Sequence, residues 1–121
     1  MRQYLKEGLG WRLGWNPSAP HYQGLVGTSE WSVELTQAEF EDFCRLLLQL
    51  AETMTQASLE LMDSEMLAIE AQSEALWMEA RGFPQAFSLS FILLQSRRAE
   101  GSWPPSVTPA LIQGVQMLQF F

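Results

Sequence analysis

Cysteine and histidine, the residues on which most nucleophilic and metal chemistry relies, each occur only once in these 121 residues, as Cys44 and His21. A single cysteine excludes an internal disulfide framework and is typical of a reducing compartment. With one histidine and one cysteine, only an all-carboxylate oxygen site could hold a metal, and the glutamates match no known loop spacing. We therefore predict no metal, no cofactor and no catalytic residue.

Basic residues and long apolar runs are also scarce. The chain has seven lysines and arginines against fourteen aspartates and glutamates, for a net charge of −7. This balance repels phosphate backbones and anionic lipid unless the few bases cluster. The apolar runs are too short to span a membrane, and the first residues contain no apolar signal core. We expect an acidic cytoplasmic protein with one domain over residues 1–121.

Aromatic and aliphatic residues are plentiful, and they alternate most clearly between residues 66 and 95. We predict a meander of strands at 66–72, 75–81 and 86–95, with a two-residue turn at 73–74 and a four-residue loop at 82–85. In that register Leu67 faces Ala80, and Ala80 faces Phe87. Every apolar partner then lies on one face, which is the pattern of an antiparallel sheet with one buried face. The opposite face carries Met66, Ala68, Glu70, Trp77, Glu79, Arg81, Ser88 and Ser90.

The N-terminal part predicts two more strands. Residues 9–15 place Leu9, Trp11, Leu13 and Trp15 on one face and leave the other nearly bare. Glycines there indicate a bend or bulge, or alternatively the close approach of a backbone or ligand. Residues 24–35 resume strand character, and whether 24–28 is a separate strand stays open. The two strands are expected to pair as a long-loop hairpin.

Two helices follow from local motifs. Thr36 and Glu39 have the spacing of a capping box, and Leu35 and Phe40 have that of a hydrophobic staple. The helix that begins there is predicted to end between residues 57 and 62, with its acidic residues toward solvent. Thr108-Pro109 predicts an N-cap and first turn of a short C-terminal helix. The terminal residues Phe120 and Phe121 are expected to dock on the domain or on a partner. The apolar side of the long helix is Phe40, Phe43, Cys44, Leu47, Leu50, Ala51 and Met54, widened by Leu46 and Leu48.

The predicted order is β-β-α-β-β-β-α, which indicates the α+β class. One long helix is expected to pack on a face of a single antiparallel sheet, with a short C-terminal helix after it. This arrangement leaves one sheet face and the edge strands uncovered. Dimerisation through either surface is a natural consequence.

Candidate binding residues are aromatic and basic. Trp77 lies on the polar face of the middle strand, between Ala75 and Glu79, and is either covered by another layer or exposed as a binding platform. Arg81 ends that strand. Arginines beside aromatic rings are typical of single-stranded nucleic-acid sites, but the acidic balance disfavours this use. Arg97 and Arg98 could instead pair with Glu100 or cap a sheet edge. The candidate set is Trp77, Glu79, Arg81, Arg97, Arg98 and Trp103.

Other residues with chemical potential have simpler interpretations. His21 lies in a proline-rich loop, where a solvated role is favoured over a catalytic one. Cys44 falls on the apolar stripe of the long helix and is expected to act as a small hydrophobe. Glu70 and Glu79 could form a carboxylate pair on neighbouring strands, but acid–base roles would require burial that separates their pKa values.

Three segments together carry a family resemblance: Leu76-Trp-Met-Glu-Ala-Arg-Gly-Phe-Pro-Gln-Ala-Phe-Ser-Leu-Ser-Phe-Ile-Leu-Leu, Arg97-Arg-Ala-Glu-Gly-Ser-Trp, and Gly8-Leu-Gly-Trp-Arg-Leu-Gly-Trp. The chain resembles a small cyanobacterial family of unknown function, domain of unknown function 1818, over nearly its whole length. The resemblance implies an α+β fold similar to the single-stranded-DNA-binding fold of the Whirly-type proteins; a cystatin-like description fits equally. It implies no activity, cofactor or catalytic residue.

These observations rank three functions. A non-enzymatic interaction module of a cyanobacterial cytoplasm comes first, with a protein partner or a second copy of the chain bound at an aromatic-rich surface. Binding of single-stranded nucleic acid through the aromatic and arginine residues comes second. An enzyme that uses carboxylates or His21 comes third.

Overall fold

A computed structural model describes residues 3–60, 64–95 and 97–118. The first four strands, in spatial order β1-β2-β3-β4, form one antiparallel sheet, and the last four, β5-β6-β7-β8, form another. Each sheet is followed in the chain by a helix. The elements are β1 (Tyr4–Gly8), β2 (Trp11–Trp15), β3 (Gly24–Gly27), β4 (Ser32–Leu35), α1 (Gln37–Leu59), β5 (Leu67–Gln72), β6 (Leu76–Phe83), β7 (Ala86–Leu93), β8 (Glu100–Trp103) and α2 (Thr108–Gln116).

The α+β class, the long helix and the short C-terminal helix are confirmed. The prediction of a single sheet and of the element order β-β-α-β-β-β-α is wrong. The prediction lacked β1 and β8 and left the split between β3 and β4 undecided. Both missed strands are sheet edges, only five and four residues long, and carry little apolar alternation. Pairing with a neighbouring strand, rather than their own sequence, makes them strands. The long-loop hairpin is confirmed, because β2 pairs with β3.

Helix α1 begins as its sequence predicts. The Thr36 side chain accepts a hydrogen bond from the Glu39 amide, and the Glu39 carboxylate accepts one from the Thr36 amide. The helix ends at Leu59, inside the predicted interval. Except for Ala51 and Leu48, which are half-buried, the predicted apolar side is buried. Phe120 and Phe121 lie outside the described residues.

Two details of the helix termini differ from the prediction. Glu39 is buried rather than directed to solvent, because it is held inward by its hydrogen bonds. Thr108 is the first residue of α2 rather than its N-cap, and Val107 occupies the cap position. The Thr108 hydroxyl instead donates a hydrogen bond to the Phe87 carbonyl over 2.8 Å, which ties α2 to β7.

The core lies between the two sheets and includes both helices. Helix α1 contacts β3 and β4 of the first sheet and β5 and β6 of the second, while α2 contacts β2, β7 and α1. The predicted cover of the meander by α1 is therefore confirmed. An apolar residue on α1 can contact either sheet, which explains why its apolar sector is wider than a single stripe.

Aromatic rings connect the sheets directly. Trp103 of β8 is fully buried and packs against Phe91 at 5.7 Å, Phe43 at 5.8 Å and Trp31 at 5.4 Å between ring centroids. Its indole N–H donates to the Gly27 carbonyl of the first sheet over 2.9 Å. A buried donor requires such a partner, so this bond fixes the position of β8 relative to β3.

The meander is confirmed, but both predicted registers are wrong by two residues. Ser73 closes the first turn, because its amide donates to the Leu76 carbonyl and its hydroxyl accepts the Ala75 and Leu76 amides. Gly82, with φ of 139°, continues the second strand to Phe83, so the next loop has only two residues. A shift of two residues leaves each side chain on its predicted face of the sheet. Every residue predicted to lie opposite the buried face, from Met66 to Ser90, is exposed or half-buried.

Glycine on β3 allows α1 to approach the first sheet. A Cβ atom at Gly24 would lie 2.5 Å from the Phe40 ring, whereas one at Gly14 on the neighbouring strand would lie 3.3 Å from Leu25. We expect Gly24→Ala to lower the free energy of unfolding by about 1–3 kcal/mol, as overpacked core substitutions do. Urea denaturation with Gly14→Ala as the control measures this difference. Equal effects of the two substitutions would contradict the close contact of Gly24 with Phe40.

Candidate functional site

The face of the second sheet that points away from α1 is open to solvent in the described part of the chain. Two rows of paired residues run across its four strands. One row contains Gln72, Trp77, Ile92 and Glu100, and the other contains Glu70, Glu79, Ser90 and Ser102. We call these eight residues the outer face. Each of them is exposed or half-buried.

A groove of about 410 Å³ crosses the outer face at its β8 end. Trp77 and Trp31 line it together with Ile92 and Glu100, and Ser90 and Ser102 add two hydroxyls. Trp31 comes from the segment between β3 and β4, and its ring lies directly on the backbone of Gly101, where a Cβ atom would be 2.2 Å from the indole. Because Gly101 is paired with the buried Phe91, the Trp31 ring lies on the core side of β8 and only borders the groove. The outer face itself contributes one indole, one carboxylate and two hydroxyls to the groove.

The charge of the outer face is negative. Glu70 and Glu79 are directly opposed on β5 and β6, which confirms that they share a side of neighbouring strands. Arg81 pairs with Glu79 through two hydrogen bonds of 3.2 and 3.3 Å. Among the described residues, Glu70 and Glu100 make no ion pair. Two carboxylates of this surface are therefore not neutralised by the residues that the structure describes.

The structure brings together only part of the predicted candidate set. Trp77, Glu79 and Arg81 share the outer side of β6, and Trp77 is half-buried. Arg98 is exposed next to the groove end, beside Ile92 and Glu100. Trp103, in contrast, belongs to the core and cannot stack on a ligand at the surface.

Arg97 turns inward and stabilises the start of α1. Its guanidinium donates to the Glu34 carbonyl over 2.6 Å and forms an ion pair with the Glu39 carboxylate. It also lies over the Tyr22 ring, 4.7 Å from the centroid. The suggested pairing with Glu100 is therefore wrong for Arg97. This arginine joins the segment after β7 to the first sheet and to the capping box.

Of the groove residues named above, Trp77 alone belongs to the predicted candidate set; the residues absent from it are Trp31, Ser90, Ile92, Glu100 and Ser102. Ile92 follows the alternation of β7 and could have been assigned to the outer face from that pattern. Glu100 required knowledge that residues 100–103 form a strand. Trp31 required the packing of the first sheet against β8, for which no local pattern exists.

The residues considered for nucleophilic or acid–base chemistry lie elsewhere. His21 is exposed, and its ring meets that of Tyr22 edge-on at 4.4 Å. Cys44 is buried on α1, and burial raises the pKa of its thiol far above the ordinary value, with a smaller contribution from Glu41. It is therefore a neutral hydrophobe, as expected.

The described residues contain no group of three or more histidine, cysteine, aspartate or glutamate side chains placed to hold a metal ion. No helix formed by residues 3–60, 64–95 or 97–118 is both long and apolar enough to cross a membrane.

Comparison with known proteins gives a family and a structural relative. Residues 6–118 match the model of a domain of unknown function, DUF1818. The chain is similar to a Prochlorococcus sp. NATL2A crystal structure, described as a protein of unknown function from the DUF155 family. The two share 26% sequence identity with a TM-score of 0.86, over 93% of this chain and 96% of that one. No curated protein matches. The likeness to the Whirly-type fold stays a prediction.

The inward role of Arg97 predicts a stability effect at its partner. Glu39→Gln removes the charge that Arg97 neutralises while it retains most of the side-chain shape. We expect the free energy of unfolding to fall by about 1–3 kcal/mol, which is the range for loss of a charged hydrogen bond in a partly buried site. Glu41→Gln, on the exposed side of α1, should change it by less than about 0.5 kcal/mol. Urea denaturation of both variants measures these changes. Similar losses of unfolding free energy in the two variants would contradict the special role of Glu39.

Burial of Cys44 predicts a thiol that does not react in the folded protein. Because the thiolate is the reactive form and its pKa is raised, a disulfide reagent such as dithionitrobenzoate should label Cys44 very slowly at pH 8. Unfolding in urea should expose one rapidly reacting thiol per chain. Rapid labelling without denaturant would show that the α1 face opens readily to solvent.

Proposed function

The chain belongs to the family of the domain of unknown function DUF1818, from which no activity follows, and we propose that it is a non-enzymatic interaction module of the cytoplasm. Its partner is a protein that docks on the outer face of the second sheet. The observation that carries this proposal is the apolar centre of half-buried Trp77 and exposed Ile92, flanked by Glu70 and Glu100, which make no ion pair among the described residues.

The composition of this surface is typical of a protein interface. Tryptophan is among the residues that most often dominate binding energy, and apolar patches with polar rims mark interaction sites. Trp77 is half-buried and Ile92 is 36% exposed, so both can lose further solvent contact when a partner binds. The carboxylates of Glu70 and Glu100 at the two sides favour a partner with a positively charged surface.

The placement of the arginines weighs against the nucleic-acid alternative. Arg97 is engaged with Glu39, and Arg81 is neutralised by Glu79, so Arg98 alone is a cation near the groove without an ion pair among the described residues. Binding of a phosphate backbone requires several unpaired bases on one surface. The negative outer face also disfavours a second copy of the chain, because two such faces would repel each other.

The cytoplasmic part of the proposal is supported by the cysteine content. The one cysteine of the chain, Cys44, is a free buried thiol. A reducing compartment is the environment that such a composition suits.

Site-specific photo-crosslinking tests the proposed interface. A photoreactive amino acid at Ile92 should yield one discrete crosslinked protein in nuclease-treated extract of the source cells. The same amino acid at Leu5, which is 63% exposed on the first sheet, should not. The crosslinked protein, identified by mass spectrometry and purified, should bind the unmodified chain, and Trp77→Ser should weaken that binding at least about tenfold, a loss of ~1.4 kcal/mol.

Two results would refute the proposal. The first is a set of crosslinks that is the same from position 92 and position 5. The second is a nuclease-sensitive complex together with a change of tryptophan fluorescence when a single-stranded oligonucleotide is added at low salt. That second result would support the nucleic-acid alternative instead.

A further inference from the structure

We propose that the groove formed by Trp77, Ile92 and Glu100 is a subsite for one arginine side chain of the partner, with Glu100 as its counter-ion. This inference rests on the proposed function and specifies the chemistry that the outer face recognises. The groove has features that suit a planar cation around a space of about 410 Å³: the Trp77 indole, two hydroxyls, and the Glu100 carboxylate, which makes no ion pair among the described residues.

The strand pairing sets the distance that the ligand must bridge. Trp77 is paired with Ile92, and Ile92 is paired with Glu100, so Trp77 and Glu100 are two strands apart. Adjacent strands are about 4.8 Å apart, which places these two residues roughly 10 Å apart along the row. A side chain that lies across Ile92 can therefore contact the indole on one side and the carboxylate on the other.

Arginine fits this arrangement better than lysine. Its apolar stem can pack on Ile92 and on the Trp77 ring, whose face attracts cations, while its guanidinium reaches the Glu100 carboxylate. The planar group presents five N–H donors, enough for the Glu100 carboxylate and the Ser90 and Ser102 hydroxyls together. The ammonium of lysine is strongly hydrated and has three donors, so it would satisfy fewer of these groups.

The surrounding charges select for a cation. Glu70 and Glu79 belong to the neighbouring row, and among the described residues Glu79 is neutralised by Arg81 whereas Glu70 makes no ion pair. A phosphate or carboxylate ligand would therefore meet the Glu100 carboxylate in the groove and a negative surface beside it. Glu100 is exposed and makes no ion pair among the described residues, so an incoming guanidinium does not have to displace an existing partner.

A nuclear magnetic resonance titration with short peptides tests the subsite directly. The probes are the blocked tripeptide acetyl-Ala-Arg-Ala-amide and its counterparts with lysine and with citrulline, which keeps the shape of arginine without its charge. The arginine peptide should shift the indole N–H signals of Trp77 and Trp31. The lysine peptide should bind at least about threefold more weakly and citrulline at least about tenfold more weakly, because a cation–π contact and a charged hydrogen bond each contribute ~1 kcal/mol.

Matched variants locate the binding. Glu100→Gln should weaken arginine-peptide binding about fivefold to tenfold, whereas Glu60→Gln, which removes an exposed charge after α1, should change it less than about twofold. Trp77→Leu should abolish the shifts at Trp31 as well.

The outcomes separate this inference from the proposed function. If the arginine and citrulline peptides bind equally, or if Glu60→Gln matches Glu100→Gln, the arginine subsite is refuted while a crosslinked partner at Ile92 would still support the interaction module. If the groove signals shift with protein concentration alone and Arg98→Gln abolishes that shift, the occupant is a second copy of the chain, which also overturns the inference.

Discussion

The hydrogen bond from the buried Trp103 indole to the Gly27 carbonyl is the contact on which the relation between the sheets depends. It joins the last strand of the second sheet to the third strand of the first, inside a cluster with Phe43 and Phe91. Because an unpaired buried N–H costs about 1–3 kcal/mol, the sheets cannot slide past each other without losing this bond. The same packing places Trp31 on Gly101 and thereby completes the groove.

Arg97 gives a second constraint of the same kind. By pairing with Glu39 it connects the segment before β8 to the N-terminus of α1, where a capping box already orders the chain. Glu39 therefore accepts hydrogen bonds from its own helix start and from a residue 58 positions away. Local and long-range contacts agree at this residue, and such agreement favours a single folded arrangement.

The sequence predicts what depends on neighbours in the chain and fails where distant strands decide. The capping box follows from the spacing of Thr36 and Glu39, the α1 stripe from a period of 3.6 residues, and the two faces of the meander from a period of two. The structure confirms all three. Strands β1 and β8 depend on pairing, so four or five residues of weak pattern could not reveal them. Within the site, Trp77 follows from the alternation of β6. The types of Arg97 and Trp103 suggested a surface role, but residue type does not show the direction of a side chain.

The outer face of the second sheet has a composition that folding alone does not explain. Directly opposed Glu70 and Glu79 destabilise the pairing of β5 with β6, and within the described part of the chain Arg81 compensates Glu79 but no cation pairs with Glu70. A half-buried tryptophan beside an exposed isoleucine keeps apolar surface in water, although polar residues would satisfy the same strand pattern. Each feature opposes stability or solubility on its own. Together they support the proposed interface, since an apolar centre between carboxylates would give a partner both binding energy and a preference for a cationic side chain.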